Sequence, residues 1–403
     1  MRFSTTALSL VTLAASTVSA ACHAGHRRHH AKLASSVIAS ASSTSASAWS
    51  AQTGVVAAAK WKSNSNSTWS SSSVDWNSGS SSTGGSSSWS SSGSATSTAS
   101  ASSSSSTSSS SSSSSSSTLG WGLAGVKKNN IYIGFLPDDG SGGGTAQTIS
   151  EINSAIGGTS AAQGWYAQAQ SGTLFDGSQF SYRKDQIVSG GVFQPAVMPT
   201  GGWWGLTSDD NQQAVAICKV MQEYVDLGVE VWLRFAHEVN YYQTDGTYQG
   251  TAADFKEGWA TVAAACKQYA PTVKMWFTPN VASLSEYEEY YPDDPSTVDI
   301  IGVDWYPMAT SDFDFAYGSA NMQAFHDKYT SADGTKFAIG ETGLGETATM
   351  AQRLAWLQNI VDSSSTMTNM IAVSWFNYYK GYDFRIAAVS GDSIVQAYLA
   401  GSS

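Results

Sequence analysis

From about residue 119 onward, two hydrophobic rhythms take turns along the chain. Short apolar runs rich in β-branched and aromatic residues occur at 130–135, 192–198, 273–278, 298–304 and 370–376. Runs of that length and composition read as strands buried on both faces. Between them lie longer stretches in which apolar residues recur every three to four positions, the period of a helix. The stretch 209–227 sets Ala214, Ile217, Cys218, Met221, Tyr224 and Val225 on one face. The stretch 253–269 does the same with Phe255, Trp259, Val262, Cys266 and Tyr269. Further helices are predicted at 320–331 and 350–361, and further strands at 231–236 and 336–340. This alternation predicts a parallel sheet with right-handed crossovers, and its length suits one (β/α)8 TIM barrel of the α/β class. The pattern is faint over 140–191, and periodicity alone does not count eight strands.

The first 118 residues are different material. Met1-Arg2, an apolar run and the small residues Val18-Ser19-Ala20 read as a secretory signal over 1–20. The segment 21–118 begins basic and His-rich and then becomes mainly Ser, Thr, Ala and Gly, with an unbroken serine run over 108–117. It holds too little apolar surface to offset its chain entropy, so a disordered, O-glycosylated linker or stalk is expected. Asn66-Ser67-Thr68 is an N-glycosylation sequon, and Trp49, Trp61, Trp69, Trp76 and Trp89 are scattered through the tract. The barrel is assigned to 119–403. No later apolar run reaches the roughly 18 residues a membrane span needs, so a secreted, extracellular or wall-associated monomer with no membrane partner is expected. The formal net charge of −11 argues against nucleic acid as a partner.

Three cysteines, Cys22, Cys218 and Cys266, offer no zinc-like spacing. Cys218 and Cys266 sit on the apolar faces of two successive helices, where a disulfide and a pair of buried thiols are both compatible with the pattern. The glycines of 140–144 lack the lysine and helix of a phosphate-binding loop. Neither metal nor cofactor is expected.

The candidate chemistry sits where two apolar runs end. Val231-Trp232-Leu233-Arg234-Phe235-Ala236-His237-Glu238-Val239-Asn240 turns abruptly from apolar to Arg, His, Glu and Asn. Lys336-Phe337-Ala338-Ile339-Gly340 likewise runs into Glu341. In a barrel, polar residues at the carboxyl ends of strands line the active site, and two carboxylates delivered there are the equipment of glycosidic-bond hydrolysis. A duller reading pairs Glu238 with Arg234, four residues earlier on the same strand face. Asp304, at the end of 298–304, would orient a neighbour or cap its loop. Trp203, Trp204 and Trp305 fit a cleft wall or the core equally well. Glu286, Glu288, Glu289, Asp293 and Asp294 read as a solvated loop.

Arg234-Phe235-Ala236-His237-Glu238-Val239-Asn240 resembles the fourth-strand motif of glycoside hydrolase family 26, a family of retaining (β/α)8-barrel β-glycanases. The similarity continues through Trp276-Phe277-Thr278-Pro279-Asn280, through the run from Glu289 to Tyr306, and through Gly340-Glu341 and Trp375. The resemblance implies Glu238 as general acid/base and Glu341 as nucleophile in a double displacement. It implies Tyr306 as the donor that keeps the nucleophile ionised, and Arg234 and His237 as neighbours that set its charge. Trp375 would floor the cleft, Trp203 and Trp204 would wall it, and Asn240 would reach the sugar. The implied substrate is a β-linked wall polysaccharide, with β-1,4-mannan first. Val239-Asn240-Tyr241-Tyr242-Gln243 departs from the glycine and tryptophan that follow His-Glu in mannan-cleaving members, which leaves mixed-linkage β-glucan and β-1,3-xylan open. Transglycosylation with the same glutamates, and a non-catalytic wall-binding protein, are the other readings.

Overall fold

The computed structural model describes residues 121–308, 313–330, 335–345 and 347–400, so the expected signal segment (1–20) and Ser/Thr-rich segment (21–118) lie outside the described residues. Eight parallel strands close into the expected barrel. They are β1 (Ile131–Pro137), β2 (Ala162–Gln168), β3 (Val192–Met198), β4 (Trp232–Phe235), β5 (Lys274–Phe277), β6 in two pieces (Ile300–Ile301 and Asp304–Trp305), β7 (Lys336–Thr342) and β8 (Met370–Asn377). Each pairs with the next in sequence, and β8 pairs with β1 over Ala372 to Asn377 to close the ring. A two-residue strand, Lys127–Lys128, lies antiparallel against β1.

Helices follow each strand. They are α1 (Ile149–Ile156), the short α2 (Ser178–Ser181) and α3 (Lys184–Ser189), α4 (Gln212–Asp226), the single turn α5 (Val239–Tyr242), α6 (Ala252–Tyr269), α7 (Leu284–Tyr290), α8 (Met322–Thr330), α9 (Met350–Asp362) and α10 (Asp392–Ala400). Four of them begin in reciprocal capping boxes: Thr148 with Glu151, Thr251 with Asp254, Ser283 with Glu286, and Thr349 with Gln352. Each box satisfies backbone N–H groups that a helix start leaves orphaned. Glu286, Glu288 and Glu289, expected in a loop, lie on α7, with Glu286 as the third-position partner of its Ser283 cap.

The faint region 140–191 contains α1, β2, α2 and α3. β2 reads Ala-Gln-Gly-Trp-Tyr-Ala-Gln, and its polar Gln163 is fully buried with its amide on the carbonyls of Gln186 and Ile187. A strand whose polar groups are satisfied inside the protein carries no apolar run for periodicity to detect.

The barrel interior is filled in layers, as such barrels require. The lowest layer takes one residue from each of seven strands: Ala162, Val192, Trp232, Trp276, Ile300, Ala338 and Ala372, with Tyr132 of β1 packed against them. Three alanines accommodate two indoles that meet edge-on at 5.6 Å. Trp121 closes this end, edge-on to Trp232 at 5.9 Å. The next layer is polar: Ser374 donates to Gln194 at 2.7 Å across the interior, beside the fully buried Arg234. Outside the barrel, α4 and α6 pack together, and Cys218 and Cys266 join them in a disulfide. No helix among the described residues is long and apolar enough to cross a membrane.

Candidate active site

Glu238 is held by an unusual turn. After β4, Ala236 and Glu238 both adopt left-handed backbone, each at φ 51°. Such a conformation is costly for residues with a Cβ and persists only when neighbours impose it. Here the Ala236 N–H donates to the Val197 carbonyl of β3 at 2.9 Å, and the Glu238 N–H donates to the Thr278 carbonyl after β5 at 2.7 Å. The turn is thus stitched to both flanking strands, and it carries the acid to the carboxyl-terminal mouth of the barrel.

Glu341 arrives from β7. The β7–β8 register shifts between Val373 and Trp375, a bulge of the kind that re-aims a side chain. Gly340 is needed just before it: a Cβ there would lie 2.5 Å from Asp304 Oδ1 and 2.8 Å from Arg234 Nε. Arg234 Nη1 donates to Glu341 Oε1 at 2.8 Å, and the Tyr306 hydroxyl donates to Oε2 at 2.6 Å. The guanidinium also pairs with Asp304 and donates from Nε to Thr278 Oγ1 at 3.3 Å. Arg234 therefore serves Glu341 and Asp304 rather than Glu238, and Asp304 orients it.

The two glutamates sit in opposite electrostatic settings. Burial pushes the Glu238 carboxyl up, the negative Glu341 pushes it further, and its pKa reaches about 8. Burial also pushes Glu341 up, but the Arg234 charge and the hydrogen bonds from the Tyr306 hydroxyl and Arg234 outweigh it, and its pKa falls below the ordinary carboxylate value. Environments that drive two carboxyls apart assign one as the acid and the other as the standing anion. His237 Nε2 lies 3.8 Å from Glu341 Oε1. Burial and the Arg234 charge lower its pKa to about 3, so the imidazole is neutral and the contact is polar rather than ionic.

Two residues given no role from the sequence join the site. Tyr166 of β2 packs on the His237 ring at 5.5 Å, and burial, then the Glu341 charge, raise its hydroxyl pKa. Asn280, after β5, donates from Nδ2 to Glu238 Oε1 at 3.0 Å.

Other expected residues lie elsewhere. Trp375, expected to floor the cleft, is fully buried between barrel and helices, and its indole N–H donates to the Phe384 carbonyl at 2.8 Å. Strand alternation gives the reason. Ser374 faces the interior, so Trp375 faces the helices and Phe376 faces inward, edge-on to Tyr306 at 5.4 Å. Trp203 is half-buried, packs edge-on against Phe235, Tyr248 and Phe255, and donates to the Gln249 carbonyl. Trp204 beside it is half-buried. Trp305 stacks on Phe315 and packs edge-on to Trp356, in the core. Asn240 turns its amide to the backbone of Asn280.

A cavity of about 580 Å³ opens between Gln147, Arg353 and Arg385. None of the residues around Glu238 and Glu341 lines it, so the carboxylates and not this cavity define the site. Among the described residues, no group of three or more His, Cys, Asp or Glu is placed to hold a metal ion.

The barrel is similar to those of solved polysaccharide-cleaving enzymes. A modular endo-β-1,4-mannanase of glycoside hydrolase family 26 from Cellulomonas fimi shares 18% identity over 68% of this chain and 71% of that one, with a TM-score of 0.50. A Bacillus sp. family 26 endo-β-1,4-mannanase catalytic domain matches at 17% identity over 66% of this chain and 85% of its own, with a TM-score of 0.47. Fungal β-1,4-galactanases match at 14% identity over 66% of this chain and 98% of theirs, with a TM-score of 0.46. At these identities the likeness is one of fold. No protein-family model matches the chain, and no curated protein matches its sequence.

Proposed function

We propose that the chain is a secreted retaining endo-β-glycanase that cleaves a β-linked wall polysaccharide by double displacement. The observation that carries this reading is the opposed pair at the barrel mouth: Glu238 raised to about 8 and Glu341 held ionised by Arg234 and Tyr306. In the first step Glu238 gives its proton to the leaving glycosidic oxygen while a Glu341 oxygen bonds to the anomeric carbon. In the second, Glu238, now ionised, takes a proton from water, which displaces Glu341 and restores the configuration. Tyr306 and Arg234 hold the Glu341 oxygens in place before attack and receive the charge again when the ester breaks. The neutral His237 adds a polar contact without a second positive charge that would dull the nucleophile.

β-1,4-Mannan is the first substrate to test, with mixed-linkage β-glucan and β-1,3-xylan next. The fold likeness to mannanases and a galactanase supports this class of polymer, while Tyr241-Tyr242 in place of glycine and tryptophan supports testing beyond mannan. Trapping tests the mechanism. A 2-deoxy-2-fluoro glycoside with a good leaving group should leave a glycosyl ester on Glu341, located by peptide mass spectrometry. An ester on another residue, or slow turnover with inverted product, would contradict the assignment.

A further inference from the structure

Glu238 has to serve twice, as a protonated acid and then as an ionised base. Nearly everything around it favours only the first state. Glu341 from β7 and Asp245 from the loop after β4 are negative neighbours that raise it, and Asp304 of β6, paired with Arg234, lies in the same field. The phenols of Tyr241, Tyr242, Tyr248 and Tyr306 lie in its field as well, each raised first by burial and then by negative neighbours that include Glu238. Arg234, the cation that lowers Glu238, has its guanidinium engaged by Glu341 and Asp304. Among the described residues, one hydrogen bond reaches the Glu238 carboxylate, and it comes from Asn280 Nδ2.

Asn280 is built for that contact. It is 1% exposed, and its Oδ1 is buried without a hydrogen-bond partner. A buried orphan oxygen costs stability, so the amide is not placed there to hold the fold. Its backbone is gripped from both sides by Asn240: Asn240 Nδ2 donates to the Asn280 carbonyl at 3.0 Å, and the Asn280 N–H donates to Asn240 Oδ1 at 2.8 Å. Asn240 lies in the single turn α5, two residues after Glu238. The turn that delivers the acid therefore also clamps the residue that bonds to it.

We propose that Asn280 is the positioning residue of the acid/base, donating to the ionised Glu238 so that it can act as a base, and that Asn240 acts through Asn280 rather than on the sugar. This rests on the glycosidase reading for its purpose, but the contact itself is testable without substrate. Full-length protein carrying 13C-carboxyl glutamate would be titrated by NMR, with the Glu238 signal assigned through Glu238→Gln. Loss of a bond that favours the ionised form raises a carboxyl pKa. Asn280→Leu should therefore move the Glu238 midpoint up by about one pH unit with no fall in Tm, because the orphan oxygen leaves with the amide. Asn240→Ala should move it the same way by less. With an activated aryl glycoside, Asn280→Leu should slow deglycosylation about tenfold or more and leave glycosylation less affected. An unmoved midpoint in Asn280→Leu would overturn the proposal, as would a lowered Tm with an unmoved midpoint, which marks a structural role. Should that variant fail to fold, an unmoved midpoint in Asn240→Ala would overturn it. Complete inactivity of the wild-type protein on every glycan would count against the glycosidase reading and leave the midpoint shift to decide the contact.

Discussion

At the level of single residues, function rests on how two carboxyls are kept different. Glu341→Ala and Glu238→Ala should each lower polymer turnover about 10³-fold while leaving the Tm close to wild type, read by released reducing ends and thermal unfolding. The pH profile follows from the two environments. Glu238 is protonated below about 8, so kcat/KM should fall as pH rises through about 8. Glu341 is ionised above a value lower than that of an ordinary carboxylate, so the acid limb should lie below that value. A narrow optimum with an alkaline limb near ordinary carboxylate values would contradict the burial of Glu238. Much of this was legible in the sequence: Arg234, His237, Glu238, Tyr306 and Glu341 all converge. Asn280 and Tyr166 were not singled out, because neither type of residue marks a site until the fold sets it beside a carboxylate. Trp375 misled because β8 alternates regularly past Ser374, which turns Trp375 to the helices and Phe376 inward, and a one-residue change of face leaves no trace in composition.

Secondary elements explain why those residues meet. β4 and its strained turn, β6 in two pieces and the bulged β7 each bend near the mouth, and each bend delivers one side chain. Gly340→Ala should push a Cβ into Asp304 and Arg234. It is expected to lower kcat at least tenfold, since the pair that orients Glu341 must shift, and a variant of wild-type activity would show that Arg234 has slack. The disulfide acts on the helices behind β4. Its two cysteines are 48 residues apart in sequence, and closing a loop of that size contributes about 4 kcal/mol in the chain-entropy account. Replacing both cysteines by alanine should cost stability of that order in chemical denaturation, with little change in KM. Long amphipathic helices such as α4 and α6 were readable from period alone, whereas β2 was not, because Gln163 and Gly164 interrupt its buried run, and the Gln163 amide is satisfied by the distant Gln186 and Ile187 carbonyls.

For the whole molecule, the barrel from Trp121 onward holds its own layered core, closed at one end by Trp121 and open to the carboxylates at the other. Protein lacking 21–118 should therefore express in soluble form and keep the kcat/KM of the full chain on soluble oligosaccharides. Loss of folding on that deletion would mean that the Ser-rich segment contributes to the barrel. Closure of eight strands was foreshadowed by the alternation of rhythms, though the count came only from the pairing of β8 with β1. The most direct test of the central claim is a screen of the purified protein beside its Glu341→Ala variant against β-1,4-mannan, mixed-linkage β-glucan, β-1,3-glucan and β-xylans, with reducing ends as readout. The account predicts release from one of these polymers by the wild-type protein and none by the variant. Equal release by both, or none by a folded wild-type protein on any of them, would contradict it.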